Sequence, residues 1–280
     1  METLILSGNE TSKKIRAEIA GRIKETGIVP SLAVVLVGSD PASAVYVRNK
    51  EKACEKTGIR AINHHLPDDT DAATLRNLLM GLDSDPSVDG ILLQLPLPAH
   101  LDEKDFLPLI SAEKDVDGFH PINQGKLLTG EDALFSCTPN GVIQILKHFG
   151  VEISGKHAVV LGRSNIVGKP MMSLLLRENA TVTVCHSKTA DLEKHVATAD
   201  ILIVALGKRG IVKSSWIRPE TVVVDVGIHR LDDGSVAGDL EQSELMGRVK
   251  ALTPVPGGVG PMTITMLLHN TLKAAEKNRQ

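Results

Sequence analysis

Ala158-Val-Val-Leu-Gly-Arg-Ser-Asn-Ile-Val-Gly-Lys-Pro-Met171 decides the fold of this chain. A short β-branched run ends at Gly162, a polar loop follows, and Gly168, Lys169 and Pro170 open an amphipathic segment that reaches Arg177. The pattern reads as a buried strand, a glycine turn and a helix start. Such a turn aims backbone N–H groups and the positive end of a helix dipole at one spot, where a pyrophosphate is welcome. The usual dinucleotide motif has glycines at relative positions 0, 2 and 5. Here Gly162, Ser164 and Gly168 occupy positions 0, 2 and 6, a variant that an ordinary βα turn without a ligand would also explain. A P-loop is excluded because five residues separate the glycines and Pro170 follows Lys169. A nucleophile elbow is excluded because Ile166 stands two residues after Ser164.

Outward from this stretch, strands and helices alternate in both directions. On the N-terminal side the sequence predicts a helix near Glu10 to Lys24, a strand Leu32–Val37, and a turn at Gly38 and Pro41 into a second helix. A strand Ile62–Leu66, a helix Asp71–Leu82 and a strand Gly90–Gln94 follow. Pro96 to Pro139 reads as loop-rich, and a second series begins with a helix from Gly141 to Phe149. Strands are expected at 157–161, 181–185, 201–205 and 221–225, and a closing helix from Pro261 to Lys277 has an apolar face that needs a partner. This rhythm predicts a two-domain α/β protein with mostly parallel sheets, the second domain being Rossmann-like, and a cleft between the two. The expected boundaries are 1–139 with 266–280 for the first domain and 140–265 for the second.

Several function classes are disfavoured. The 280 residues carry a formal charge of -3, which leaves no basic footprint for nucleic acid. Only 2% of residues are aromatic, too few for a base-stacking surface. The start Met1-Glu-Thr-Leu-Ile-Leu-Ser7 lacks a signal peptide's basic region, and no apolar run is long enough to span a bilayer, so no membrane role and a cytoplasmic location are expected. Cys54, Cys137 and Cys185 are far apart and read as buried thiols. His64 and His65 are adjacent, which on a strand points them to opposite faces, so no metal site is expected.

The second strand of the dinucleotide series ends in Cys185-His-Ser-Lys188, where an NAD-binding fold normally carries an acidic residue for the adenosine ribose. Arg163, His186, Ser187 and Lys188 suit a 2′-phosphate instead, which points to NADP; the same residues would also pass as solvated surface charges.

Elsewhere, Tyr46 precedes Lys50 by four residues, placing both on one helix face. Taken alone, this pair equally describes a lysine stem covering apolar surface. Three further stretches stand out: Ile91-Leu-Leu-Gln-Leu-Pro-Leu-Pro98, Lys114-Asp-Val-Asp-Gly-Phe-His-Pro121, and Thr253-Pro-Val-Pro-Gly-Gly-Val-Gly-Pro-Met-Thr263. With Tyr46-x-x-x-Lys50 and the glycine turn they form, in this order, a set that closely resembles the bifunctional methylenetetrahydrofolate dehydrogenase/methenyltetrahydrofolate cyclohydrolase family. The resemblance runs from about Leu32 to Leu272.

That resemblance implies a reduced folate as substrate, NADP as cofactor and a homodimer. It implies a catalytic set of Lys50, Tyr46, Gln94 and Asp117, with Lys50 as proton carrier, Gln94 orienting it, Tyr46 stacking on the folate and Asp117 binding the pterin edge. Leu93, Leu95, Pro256, Gly257, Gly258, Val259 and Gly260 join these in the implied substrate site, and Gly162, Arg163, Ser164, Gly168, Ser187 and Ile228 form the implied cofactor site. Asp117 is equally suited to a turn or cap by residue type alone. Pro96, Pro98, Pro254 and Pro256 are candidates for cis bonds. Two other readings stay open: a different NADP-dependent dehydrogenase of the same architecture, or a non-catalytic NADP-responsive binding protein.

Overall fold

The computed structural model describes residues 2–39 and 41–279, without the side chains of 41–46. In chain order the elements are β1 (Leu4–Ile5), α1 (Gly8–Thr26), β2 (Ser31–Val37), α2 (Pro41–Thr57), β3 (Arg60–Leu66), α3 (Ala72–Ser84) and β4 (Gly90–Leu93). Then come α4 (Glu103–Phe106), α5 (Pro121–Thr129), α6 (Cys137–His148), β5 (His157–Leu161), α7 (Gly168–Arg177), β6 (Thr181–Cys185) and α8 (Leu192–Ala197). The last are β7 (Ile201–Val204), β8 (Val222–Asp225), β9 (His229–Arg230), β10 (Val236–Ala237), β11 (Ala251–Leu252) and α9 (Val259–Asn278). Among the described residues no helix is long and apolar enough to cross a membrane.

The chain divides into two compact units, one of residues 14–137 with 264–280, the other of residues 1–13 with 138–263. The sequence reading grouped the first thirteen residues with the former; they belong to the latter, where Leu4 and Ile5 pair with Ala251 and Leu252. A two-residue strand is too short to announce itself by alternation.

The first unit holds a parallel three-stranded sheet in the order β3-β2-β4. Every residue of β2 is buried, as a central strand covered on both faces requires. Ala33, Val35 and Val37 pack with Leu75, Leu79 and Leu82 of α3 and with Phe106, each large side chain contributing roughly 2 kcal/mol by its removal from water. The stretch expected to be loop contains α4 and α5. Helix α5 hides in the sequence because it is only nine residues long and carries Asn123, Gln124 and Gly125 inside it, yet His120 caps its start, Pro121 sits in its first turn and Gly130 ends it at φ 84°. Helix α6 begins four residues earlier than expected, since Pro139 falls in its first turn, where a missing N–H costs nothing.

The second unit contains a six-stranded parallel sheet, β1-β11-β8-β7-β5-β6. Strand β5 therefore lies between β6 and β7, and the connections leave it in opposite directions. The crevice at the carboxyl ends of such a pair is where doubly wound sheets bind ligands. Its core is aliphatic: Val159, Leu161, Leu202, Val204, Val223 and Leu252 are all essentially buried.

Candidate active site

In the first unit, Lys50 lies in the middle of α2, and Gln94 follows β4 directly, its backbone N–H donating to Val35 O at 2.8 Å. The Lys50 ammonium donates to Gln94 Oε1 at 2.8 Å, while Gln94 Nε2 donates to Leu95 O at 2.6 Å. That second bond fixes which end of the amide faces the amine. Lys50 is only 8% exposed, and burial holds its pKa below the usual lysine range, opposed by the Asp117 carboxylate and then by Cys137 and Cys54. An uncharged amide partner fits this site, because a carboxylate in direct contact would keep the amine protonated.

Asp117 sits on the loop between α4 and α5. Burial raises its pKa; the Lys50 charge, and a hydrogen bond with Cys137, pull it down. Its loop is tightly braced. Asp115 accepts from His120 N at 2.7 Å and Asn123 Nδ2 at 2.9 Å. Gly118, at φ 74°, lies so close to the backbone of 134–136 that a Cβ would fall 2.4 Å from Ser136 N. Asn270 of α9 donates to Val116 O and Phe135 O, both at 2.8 Å. Lys50, Gln94 and Asp117, predicted together, are thus brought together. Leu93 is buried at the end of β4 and Leu95 half-buried behind Gln94. Tyr46 belongs to the side chains outside the described residues.

Three groups at this site were given no place in it by sequence reasoning, although the two cysteines were read as buried thiols. Burial pushes the Cys54 thiol up to about 12 and raises Cys137 as well, so both thiols stay protonated. Asp115 is raised to about 6 by burial, its three hydrogen bonds opposing. None of the three carries a spacing signal, since a buried thiol or carboxylate is defined by what packs on it.

The other predicted residues lie in the second unit. Gly162 has φ 124°, and a Cβ there would fall 2.3 Å from Ala205 O; a Cβ on Gly168 would fall 2.2 Å from Gly162 O. Only glycines let the end of β5, the end of β7 and the start of α7 meet this closely. Ser164 Oγ accepts from Val167 N at 3.2 Å and Gly168 N at 3.3 Å, capping the helix start as its residue type suggests. The register Leu161↔Cys185 sets Arg163 and Ser187 just beyond neighbouring strand ends, both exposed, with Lys188 alongside and no carboxylate between Cys185 and Lys188. Ile228 is 50% exposed in the loop after β8.

Pro256, Gly257, Gly258, Val259 and Gly260 enter α9 in this same unit. Gln242 clasps the loop backbone, donating to Thr253 O and accepting from Val255 N, each at 3.0 Å. Gly258 is required by packing: Cβ would lie 2.4 Å from Pro254 O. At Gly260 the space opens toward Ile228, whose Cδ1 is 3.7 Å from a Cβ position. Cis bonds occur at Leu95–Pro96 and Val255–Pro256, and not before Pro98 or Pro254.

Both halves of this arrangement match one family. Residues 6–117 match the tetrahydrofolate dehydrogenase/cyclohydrolase catalytic domain, and residues 136–279 match the NAD(P)-binding domain of the same family. The chain belongs to the tetrahydrofolate dehydrogenase/cyclohydrolase family. The bifunctional protein FolD of Geobacillus thermodenitrificans is 51% identical over 280 residues, covering 99% of each chain. The crystal structure of the bifunctional FolD methylenetetrahydrofolate dehydrogenase/cyclohydrolase of Campylobacter jejuni superposes with a TM-score of 0.95 at 46% identity, covering 99% of this chain and 100% of that one. A Trypanosoma brucei methylenetetrahydrofolate dehydrogenase-cyclohydrolase complexed with NADP cofactor and an inhibitor gives a TM-score of 0.94 at 35% identity, covering 100% of this chain and 99% of that one.

Proposed function

We propose that this member of the family oxidises 5,10-methylenetetrahydrofolate to the 5,10-methenyl form with NADP+ and hydrolyses the latter to 10-formyltetrahydrofolate. The observation that carries the reading is the buried Lys50 amine held at 2.8 Å by an uncharged, pre-oriented Gln94, with Asp117 close by.

The dinucleotide fits the second unit on two counts: the packed glycine turn at Gly162 and Gly168, and exposed Arg163, Ser187 and Lys188 where a ribose-binding acid would stand in an NAD site. When bound, NADP+ supplies the hydride acceptor. Loss of hydride from the bridging carbon is driven by the two flanking nitrogen lone pairs, so the protein's task is alignment. In our reading Tyr46 and Asp117 of the first unit take the ring system and the pterin's donor edge, with Leu93 and Leu95 beside them, while in the second unit the backbone of Pro256 to Gly260 and Ile228 serve the ligand there.

Hydrolysis needs a proton carrier. Water adds to the cationic methenyl carbon and gives one proton to Lys50. The hydroxyl so formed gives up its own proton as the formyl C=O forms, the bond from that carbon to one ring nitrogen breaks, this nitrogen takes up a proton, and one proton is released overall. A lysine works here only as the free amine, which burial favours and which the cationic substrate favours further. Gln94 holds the amine in place through both states, since its carbonyl accepts from either.

The reading extends to a homodimer working in the cytoplasm, an expectation carried by the family. Following NADPH formation and methenylfolate hydrolysis in one purified sample tests the catalytic part. A different dehydrogenase would leave methylenetetrahydrofolate untouched, and a non-catalytic binder would bind NADP without turnover.

A further inference from the structure

The second unit contains a polar cluster that neither step of the proposed reaction uses. Asp225 ends β8 and Asp239 follows the β9–β10 hairpin; both are buried. Asp225 Oδ1 accepts from Gly227 N and from Asp239 N, each at 3.0 Å, and Oδ2 accepts from Leu240 N at 2.9 Å. Asp239 Oδ2 in turn accepts from Leu206 N at 2.7 Å and Gly207 N at 3.0 Å, and Oδ1 accepts from His229 Nε2 at 2.7 Å. The Asp239 side chain is 0% exposed and that of His229 is 23% exposed. Gly227 and Gly238 exist to let the two carboxylates approach: a Cβ on Gly227 would fall 2.4 Å from Asp239 N, and one on Gly238 would fall 2.0 Å from Asp225 Oδ2.

This geometry ties together the backbone at the carboxyl ends of two adjacent strands. Leu206 and Gly207 leave β7 directly after Ala205, whose carbonyl packs against the Gly162 turn. Gly227 and His229 flank half-exposed Ile228 in the loop that leaves β8, and Ile228 reaches toward Gly260. A fully buried carboxylate is a costly way to gain stability, because the loss of hydration offsets most of what its partners return. What it provides is fixed position: one acceptor group sets two loops at the sheet edge where doubly wound folds bind their ligand.

We propose that Asp239, held by His229, is a positioning residue for the dinucleotide, fixing the loops after β7 and β8 against which the cofactor lies. The inference rests on the cofactor reading given above, and the two can fail separately. Hydrolysis of the methenyl substrate transfers no hydride, so it serves as an internal control for the integrity of the fold.

The test is calorimetric titration of the purified full chain with NADP+, alongside both activities, for wild type, Asp239→Ala, Asp239→Asn, His229→Gln and His229→Leu. We expect Asp239→Ala to bind NADP+ at least tenfold more weakly and to raise KM for NADP+ to match, with methenyl hydrolysis within twofold of wild type. Asp239→Asn, which keeps an acceptor for Leu206 and Gly207, should fall between. His229→Gln, whose amide can still donate to Asp239, should bind more tightly than His229→Leu, a rescue that simple loss of packing would not show. Unchanged NADP+ binding in Asp239→Ala overturns the inference, as does an equal loss of binding and hydrolysis, or equal behaviour of the two His229 variants. A wild-type chain that binds no NADP+ overturns the cofactor reading and this inference with it.

Discussion

Lys50 Nζ and Gln94 Oε1 lie 2.8 Å apart, with the Gln94 amide locked by its own bond to Leu95 O. The amine therefore has a neutral partner that places it without the charge–charge stabilisation a carboxylate would add, while burial lowers its pKa. Replacing Lys50 with Met keeps the stem and removes the proton carrier. Lys50→Met should lose methenyl hydrolysis by a factor of about 10² to 10⁴, the usual worth of general acid–base catalysis, and still bind NADP+. Retained hydrolysis in this variant would reject Lys50 as the base.

Asp117 acts on the same amine from the loop before α5, and its charge raises the Lys50 pKa. Asp117→Ala should weaken folate binding roughly 10- to 100-fold, the worth of lost charge-assisted hydrogen bonds, and leave NADP+ binding near wild type. Its residual hydrolysis should show an acid limb moved to lower pH, since Lys50 loses a group that favours its protonation. Equal losses of folate and NADP+ affinity would point to misfolding.

Arg163 stands exposed beyond β5, near Ser187 and Lys188 beyond β6. If these groups read a 2′-phosphate, Arg163→Ala should cut NADP+ affinity roughly tenfold and leave NAD+ affinity unchanged. Competition titrations with both dinucleotides decide it, and an unaltered preference for NADP+ would remove the argument.

Asp115 provides a stability signature. Burial raises its pKa in the fold to about 6, above the unfolded value of about 3.9. A group shifted this way stabilises the fold below the lower value and loses that contribution as pH rises to about 6, on the order of 3 kcal/mol in all. The stability difference between Asp115→Asn and wild type, from urea unfolding, should move in favour of the variant between about pH 4 and about pH 6. A flat difference would mean that the carboxyl is not shifted.

How much of this was legible in the sequence follows physical lines. The turn at Gly162 and Gly168 was readable because sterics leave only glycine there, and the strands from β2 to β8 were readable from their apolar runs. Lys50 and Gln94 were readable as motif positions, and the family resemblance implied that Gln94 orients the amine; spacing alone could not bring them together, since α2 and the end of β4 meet only through the sheet. The Asp225, Asp239 and His229 cluster was invisible. Its carboxylates bind backbone N–H groups, which every residue type carries, so no side-chain pattern marks it. Helix α5 and the two-residue strands β1 and β11 escaped for a related reason, being too short for periodicity to build a signal.

The central claim is that one chain performs hydride transfer and then proton-assisted hydrolysis on the same folate carbon. The most direct measurement follows NADPH absorbance and 10-formyltetrahydrofolate formation together, after adding methylenetetrahydrofolate and NADP+ to the purified protein. The account predicts that both signals rise, and that Lys50→Met stops the formyl product. No NADPH formation, or a formyl product that appears unchanged in Lys50→Met, would contradict it.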